Sequence, residues 1–243
     1  MMTKYRKTLV LMAVAVLLFI AGLVTGKIAS STPVSEHTSS SFGMSGPAVV
    51  LYENGRALSD GKYEPVALSL SNFDIDSNHN TMVKPGKTYE EELTAQNASN
   101  YDQYVRMIIR RYWTKGKDKD STLSPKLIQL ETGEGWKKSK KESSRETIVL
   151  YYTNILPAGA KSTPAIQNIR INNNVLDEIE AEEEPSGIGS QTVSAHEYSF
   201  DGCHMVLEVE LQAVQTHSPK STIKSVWGSD APKVQKDGTL KVK

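Results

Sequence analysis

The sequence predicts an all-β protein, a jelly-roll or immunoglobulin-like β-sandwich preceded by one N-terminal hydrophobic export helix. Three observations carry that reading. Short apolar or alternating runs recur at roughly 8–12 residue spacing with turn chemistry between them. Beyond the leader, Val175–Glu184 is the one segment with a helical look. And Thr8 to Gly26 is uncharged throughout, fenced by Lys4, Arg6 and Lys7 before it and Lys27 after it.

Nineteen residues at the helical rise of ~1.5 Å each reach ~28 Å, close to the hydrocarbon thickness of a bilayer. The basic flank places the N-terminus in the cytoplasm and the rest outside. Residues 1–27 are therefore expected to be a signal peptide or a signal anchor, with the plasma membrane as the partner of this segment. Ala29 and Ser31 sit where a cleavage site would need small residues, but the run exceeds the ~7–15 apolar residues of a cleaved signal. Both readings stay open. Residues 28–46 are Ser/Thr/Pro-rich without apolar periodicity and read as a linker.

The β-sandwich is expected over 47–228. Ala48 to Tyr52 is apolar and is followed by Asn54-Gly55, a strong hairpin dipeptide. Val66, Leu68 and Leu70 alternate with smaller residues. Lys84-Pro85-Gly86-Lys87 is a turn, Pro fixing φ and Gly accepting φ > 0. It opens a strand with Tyr89, Glu91, Leu93 and Ala95 on one face. Tyr101 to Trp113 is the longest strand candidate. Shorter ones follow at Leu127–Leu130, at Ile148–Tyr152 and around Ile166, Ile169 and Ile171, with Leu156-Pro157-Ala158-Gly159 as a further turn. Met205, Leu207, Val209, Leu211 and Ala213 alternate with polar residues in the most regular strand of the chain. Residues 229–243 read as a flexible basic tail.

Net charge is zero, with 28 basic and 28 acidic residues, so no global field recruits nucleic acid. The single cysteine, Cys203, cannot close an internal disulfide, so stability rests on an apolar core.

Candidate chemistry is sparse. His37, His79, His196, His204 and His217 do not form the His-x-x-x-His pair of zinc proteases. The acidic run Asp177, Glu178, Glu180, Glu182, Glu183 and Glu184 does not interleave Asp/Asn with Gly as a calcium loop does, and the alternating Asp74, Asp76, Asn78 and Asn80 lack its Gly and terminal Glu. Cys203 shares the parity of the apolar strand face and reads as a small core residue. Lys137, Lys138, Lys140, Lys141 and Arg145 form a basic loop beside Trp136 that could meet an anionic polymer or phospholipid. Tyr101, Tyr104, Tyr112, Tyr151, Tyr152 and Trp113 suit strand faces and cross-strand pairs better than sugar stacking. No catalytic, metal or cofactor-binding residue is assigned, and no cofactor is expected.

With the strands laid out, the chain resembles the TasA/camelysin family of exported fibre and biofilm-matrix proteins of Gram-positive bacteria. Ala67-Leu68-Ser69-Leu70-Ser71-Asn72, the turn Val83-Lys84-Pro85-Gly86-Lys87-Thr88 and the strand ending Gln96-Asn97 follow the family's order. Tyr104–Ile109 resembles its long strand, and Gly202 with Met205–Gln215 its final strand. Val226-Trp227-Gly228 is similar to a tail of clostridial members. Lys27-Ile28-Ala29-Ser30-Ser31 stands where the family often has an Ala-Tyr-Ala leader end.

The resemblance implies a non-enzymatic cell-surface or matrix protein that assembles or adheres, with copies of itself or related surface subunits as partners. The expected mechanism is β-strand addition, an extended segment completing the open edge of a neighbour's sheet. The candidate donor strand is Pro47, Ala48, Val49, Val50, Leu51 and Tyr52. The alternatives are a membrane-tethered extracellular metalloprotease, as camelysin was described, and a cell-wall or carbohydrate-binding module.

Overall fold

Alternation of apolar and polar side chains is written into two sheets that face each other. The computed structural model describes residues 49–59, 64–75, 81–177, 179–180, 197–198 and 202–243. In chain order the strands are β1 (Val49–Glu53), β2 (Arg56–Ala57), β3 (Val66–Ala67), β4 (Asp74–Ile75), β5 (Thr81–Met82), β6 (Thr88–Asn97), β7 (Gln103–Lys115) and β8 (Asp118–Asp120). They continue with β9 (Ile128–Thr132), β10 (Trp136–Lys138), β11 (Thr147–Tyr152), β12 (Ile166–Ile171), β13 (Ile179–Glu180), β14 (Glu197–Tyr198) and β15 (Cys203–Gln215). Helix α1 (Pro219–Trp227), β16 (Lys233–Val234) and β17 (Leu240–Lys241) complete the order.

Sheet I runs β2-β1-β6-β12-β9 and sheet II runs β10-β11-β7-β15-β3, with β8 added to the end of β7. The strand pairs of both sheets are antiparallel. This is the expected all-β sandwich. Its core is formed where the inner faces meet. Val49, Leu51, Leu93, Ala95, Ile166 and Ile169 come from sheet I, and Val105, Met107, Ile109, Leu150, Leu207 and Val209 from sheet II. Trp113 and Trp136 lie in the same core, their indole N–H groups donating to the carbonyls of Ser124 (3.1 Å) and Thr163 (2.9 Å).

The expected turns form as their residues dictate. Asn54 and Gly55 both adopt positive φ (48° and 81°), the requirement of a type I′ hairpin between β1 and β2. At Gly86 a β-carbon would lie 2.2 Å from Asn173 Oδ1, so the Pro85-Gly86 turn needs glycine for space as well as for its φ of 79°.

Three segments differ from expectation. Of Val175–Glu184, with its helical look, the described residues close the 3₁₀ turn Asn173–Asp177 and form the two-residue strand β13, paired with β14, while 178 and 181–184 lie outside the described residues. The alternation at Val66–Leu70 gives only two residues of strand, because Leu70 turns to φ 51°. Residues 229–243, expected as a flexible tail, form the β16–β17 hairpin instead.

That hairpin and α1 cover the outer face of sheet II. Ile223, Trp227 and Leu240 bury against Tyr104, Val149, Tyr151 and Val214 in a second apolar cluster. Ile223 and Trp227 stand four apart, one above the other on the same helical face. The start and stop of α1 were present in the sequence as Ser218-Pro219 and Gly228. The pattern is easily missed because the helix has just nine residues.

Candidate functional site

The segment singled out as a donor strand lies in sheet I. Pro47 and Ala48 fall outside the described residues, while Val49–Glu53 forms β1. It pairs with β6 from Val49↔Asn97 to Glu53↔Leu93. Its exposure alternates, placing Val49, Leu51 and Glu53 inside and Val50 and Tyr52 outside. On its other flank β1 is tied less completely. β2 pairs with Tyr52 and Glu53, Leu58 N–H donates to the Leu51 carbonyl (2.8 Å), and Leu51 N–H donates to Ser59 Oγ (2.9 Å).

Polar clamps hold both ends of this seam. At the start of β1, the fully buried Asn97 anchors the corner between β6 and β7. Its Nδ2 donates to the carbonyls of Tyr101 (2.8 Å) and Leu156 (3.0 Å), and its Oδ1 accepts from Ser99 N–H (3.0 Å) and Oγ (2.7 Å). At the far end, Asn54 exchanges backbone and side-chain bonds with Glu92 and donates from Nδ2 to Glu91 Oε1 (3.1 Å). On the outer face Tyr52 donates to Gln96 Oε1 (2.7 Å), and the Lys161 ammonium sits 3.7 Å from the Tyr52 ring centroid.

The least expected feature is a pair of buried carboxyls across the seam. Glu53 ends the inner row of β1 and Glu91 belongs to the inner row of β6, and both are almost wholly buried. Burial works to raise the Glu53 carboxyl, but hydrogen bonds from the Ser69 hydroxyl, Glu91 and the N–H groups of Leu70 and Ser69 override it and hold it below the ordinary glutamate range. Glu91 moves the other way. Desolvation, reinforced by the neighbouring Glu53, pushes it up to about 8.

Geometry agrees with that division. Glu91 Oε2 has no donor directed at it among the described residues, and a proton on that oxygen, shared with Glu53, supplies the missing bond. At neutral pH the pair therefore carries one proton and one negative charge. It resembles catalytic carboxyl dyads in electrostatics but is sealed in the core, beyond the reach of substrate. Its effect is on the strand seam.

Other singled-out residues are placed as follows. Asp74 joins Lys87 (2.8 Å) and Lys84 (3.5 Å) and accepts from the Tyr89 hydroxyl, with Phe73 stacked on Tyr89 at 4.2 Å. That is a structural clamp on the turn before β6. Asp76, Asn78, Asn80, His37, His79 and His196 lie outside the described residues, and His204 and His217 are exposed. Among the described residues no three His, Cys, Asp or Glu come together as metal ligands. Cys203 packs against the core, its sulfur 3.2 Å from Asp120 Oδ2. Tyr104, Tyr151 and Trp113 are buried within the fold. No helix among the described residues is long and apolar enough to cross a membrane, and Thr8–Gly26 lies outside them.

No protein-family model, curated protein or solved structure matches this chain.

Glu91 was legible as an acid on an otherwise apolar strand face. Glu53 carried the same signal, standing two residues beyond Leu51, but the apolar run stops at Tyr52 and hides the parity. Asn97 was visible as the strand-ending Asn, without any hint of its four hydrogen bonds.

Proposed function

We propose that the chain is an exported, non-enzymatic cell-surface or matrix protein of the TasA/camelysin type, and that it assembles by β-strand addition with Pro47–Tyr52 as the donor segment. The observation that supports this reading is the seat of β1. The strand fills a slot along β6 with backbone bonds and two apolar side chains, and its outer flank is only partly paired. A strand seated in this way can be supplied by its own chain or, in the same register, by a neighbour. The Ser/Thr/Pro-rich stretch before it provides the reach, and the Asn54-Gly55 hairpin with the segment to β3 provides the hinge.

Cysteines at Val50 and Gln96, placed in a Cys203→Ala background of the full-length protein, test the exchange. These residues are direct partners across the seam, within disulfide range. Assembled material oxidised gently should give a ladder of inter-chain disulfides, while monomer gives only the intra-chain bond. Intra-chain bonds alone in sedimentable polymer would sink strand addition through β1. N-terminal sequencing of protein from membrane and from culture supernatant separates a tethered surface domain from a released subunit.

A further inference from the structure

Two lysine-rich segments far apart in the sequence meet on the outer side of sheet II. Helix α1 and the β16–β17 hairpin enclose a groove of about 470 Å³ whose charged lining is Lys220, Lys224, Lys233 and Lys243, all exposed. Its floor includes Ile223 and Pro232, both buried. The basic loop after β10 is stitched to the same surface. Lys140 N–H donates to the Lys243 carbonyl (2.9 Å), and Lys141 pairs with Asp230 (3.3 Å) beyond the end of α1. Asp230 is spent on Lys141, Asp237 is turned into its own hairpin by bonds from Thr239, and Glu142 is engaged by Arg106 and Tyr151. No carboxylate side chain lines the groove. A chain of zero net charge thus concentrates cations on one face.

We propose that this groove binds a linear phosphate polymer, read by its charge. The cations are ammonium groups, which meet phosphate oxygens as point charges and need no bidentate geometry. The site is concave between a helix and a hairpin, which suits a strand. A bilayer surface would need apolar side chains to insert. The large apolar residues exposed among the described residues are Val226 and Leu176, and no exposed aromatic accompanies them. Trp227 is buried, so nucleobases find no stacking platform in the groove. This surface lies on the sheet opposite to the β1 seat, and the inference stands independently of strand addition.

The test uses detergent-solubilised full-length protein and fluorescent inorganic polyphosphate, titrated by anisotropy between roughly 50 and 200 mM salt. Lys220→Glu with Lys224→Glu should weaken binding at least tenfold. At about 0.7 in slope per phosphate contact, the pair should flatten the log K against log salt line by about 1.4. The control is Lys115→Glu with Lys117→Glu, an equal change of net charge on the exposed β7–β8 turn, and it should leave affinity within about twofold. Circular dichroism confirms that the exposed substitutions leave the fold intact. Equal loss in both variants would overturn the site in favour of net charge alone, and absence of binding at low salt would overturn it outright. Weak polymer binding together with a Lys220- and Lys224-dependent preference for phosphatidylglycerol-containing over pure phosphatidylcholine vesicles would assign the face to lipid instead.

Discussion

The seam between β7 and β15 and the seam between β1 and β6 are built on opposite principles. β7 and β15 pair over thirteen residues each, and the inner row of that ladder is Val105, Met107, Ile109, Arg111 and Trp113 against Leu207, Val209, Leu211 and Ala213, all buried. The row is apolar except for Arg111, whose guanidinium donates to the Ile128 and Arg145 carbonyls. Burial of this kind is non-directional and indifferent to pH. β1 gives five residues to its seam and buries Val49 and Leu51 between polar ends, Asn97 at one and the Glu53–Glu91 pair at the other. The long ladder holds because separating it exposes a large apolar surface at once. The short one holds through a few directional bonds, so it can be opened by removing one of them.

The contrast breaks first at its strongest point. Ile109→Ala deletes a fully buried side chain in the middle of the β7–β15 ladder and should cost about 2–5 kcal/mol, read as a lowered urea midpoint with unchanged slope. A cost near zero would mean that the ladder is not the stabilising element. Asn97→Ala comes next. It removes the amide bonds to the Tyr101 and Leu156 carbonyls and leaves the Ser99 N–H without its acceptor, while the Leu156 carbonyl keeps the Gln103 N–H, a loss of about 1–3 kcal/mol. Hydrogen exchange should also accelerate at Val50 and Tyr52 while the amides of β7 keep the order of protection they have in the parent. Uniform acceleration in both seams would show that the two do not open separately.

Those two substitutions also mark what sequence could and could not convey. Ile109 was legible, because strict alternation over a long strand places one face inside whatever the partner is. The same logic located β6 and β15, while β11 stood out as a β-branched and aromatic run and β12 through Ile166, Ile169 and Ile171. Asn97, by contrast, acquires its role from Leu156, which is remote in sequence and reaches it only through the β6–β7 corner. The carboxyl pair is harder still. Each glutamate is ordinary in its own strand, and their coupling exists only in the register that brings Glu53 opposite Leu93. The basic groove shows the same limit. Lys140 belonged to a basic loop and Lys243 to a tail expected to be flexible, and only the fold joins them.

The finest test of the contrast is the proton in the β1–β6 seam. Glu91 binds its proton more tightly in the folded chain, up to about 8, than at the ordinary 4.5 it regains on unfolding. Between those values the folded state holds one more proton than the unfolded state, so stability falls as pH rises through the window and levels off above it. Glu53 is shifted the opposite way, and its contribution is lost only on acidification below about 4.5. Glu91→Gln replaces the protonated acid with a neutral amide that can still donate to Glu53. At pH 5 the variant should lie within about 1 kcal/mol of the parent. From pH 5 to 8 it should lose the parent's downward slope and become the more stable of the two at the alkaline end. Taking the difference between the two urea midpoints removes every titration they share. Parallel pH profiles would mean that the pair does not hold a shared proton, whereas diverging profiles would make the β1 seam pH-sensitive beside a β7–β15 ladder that is not.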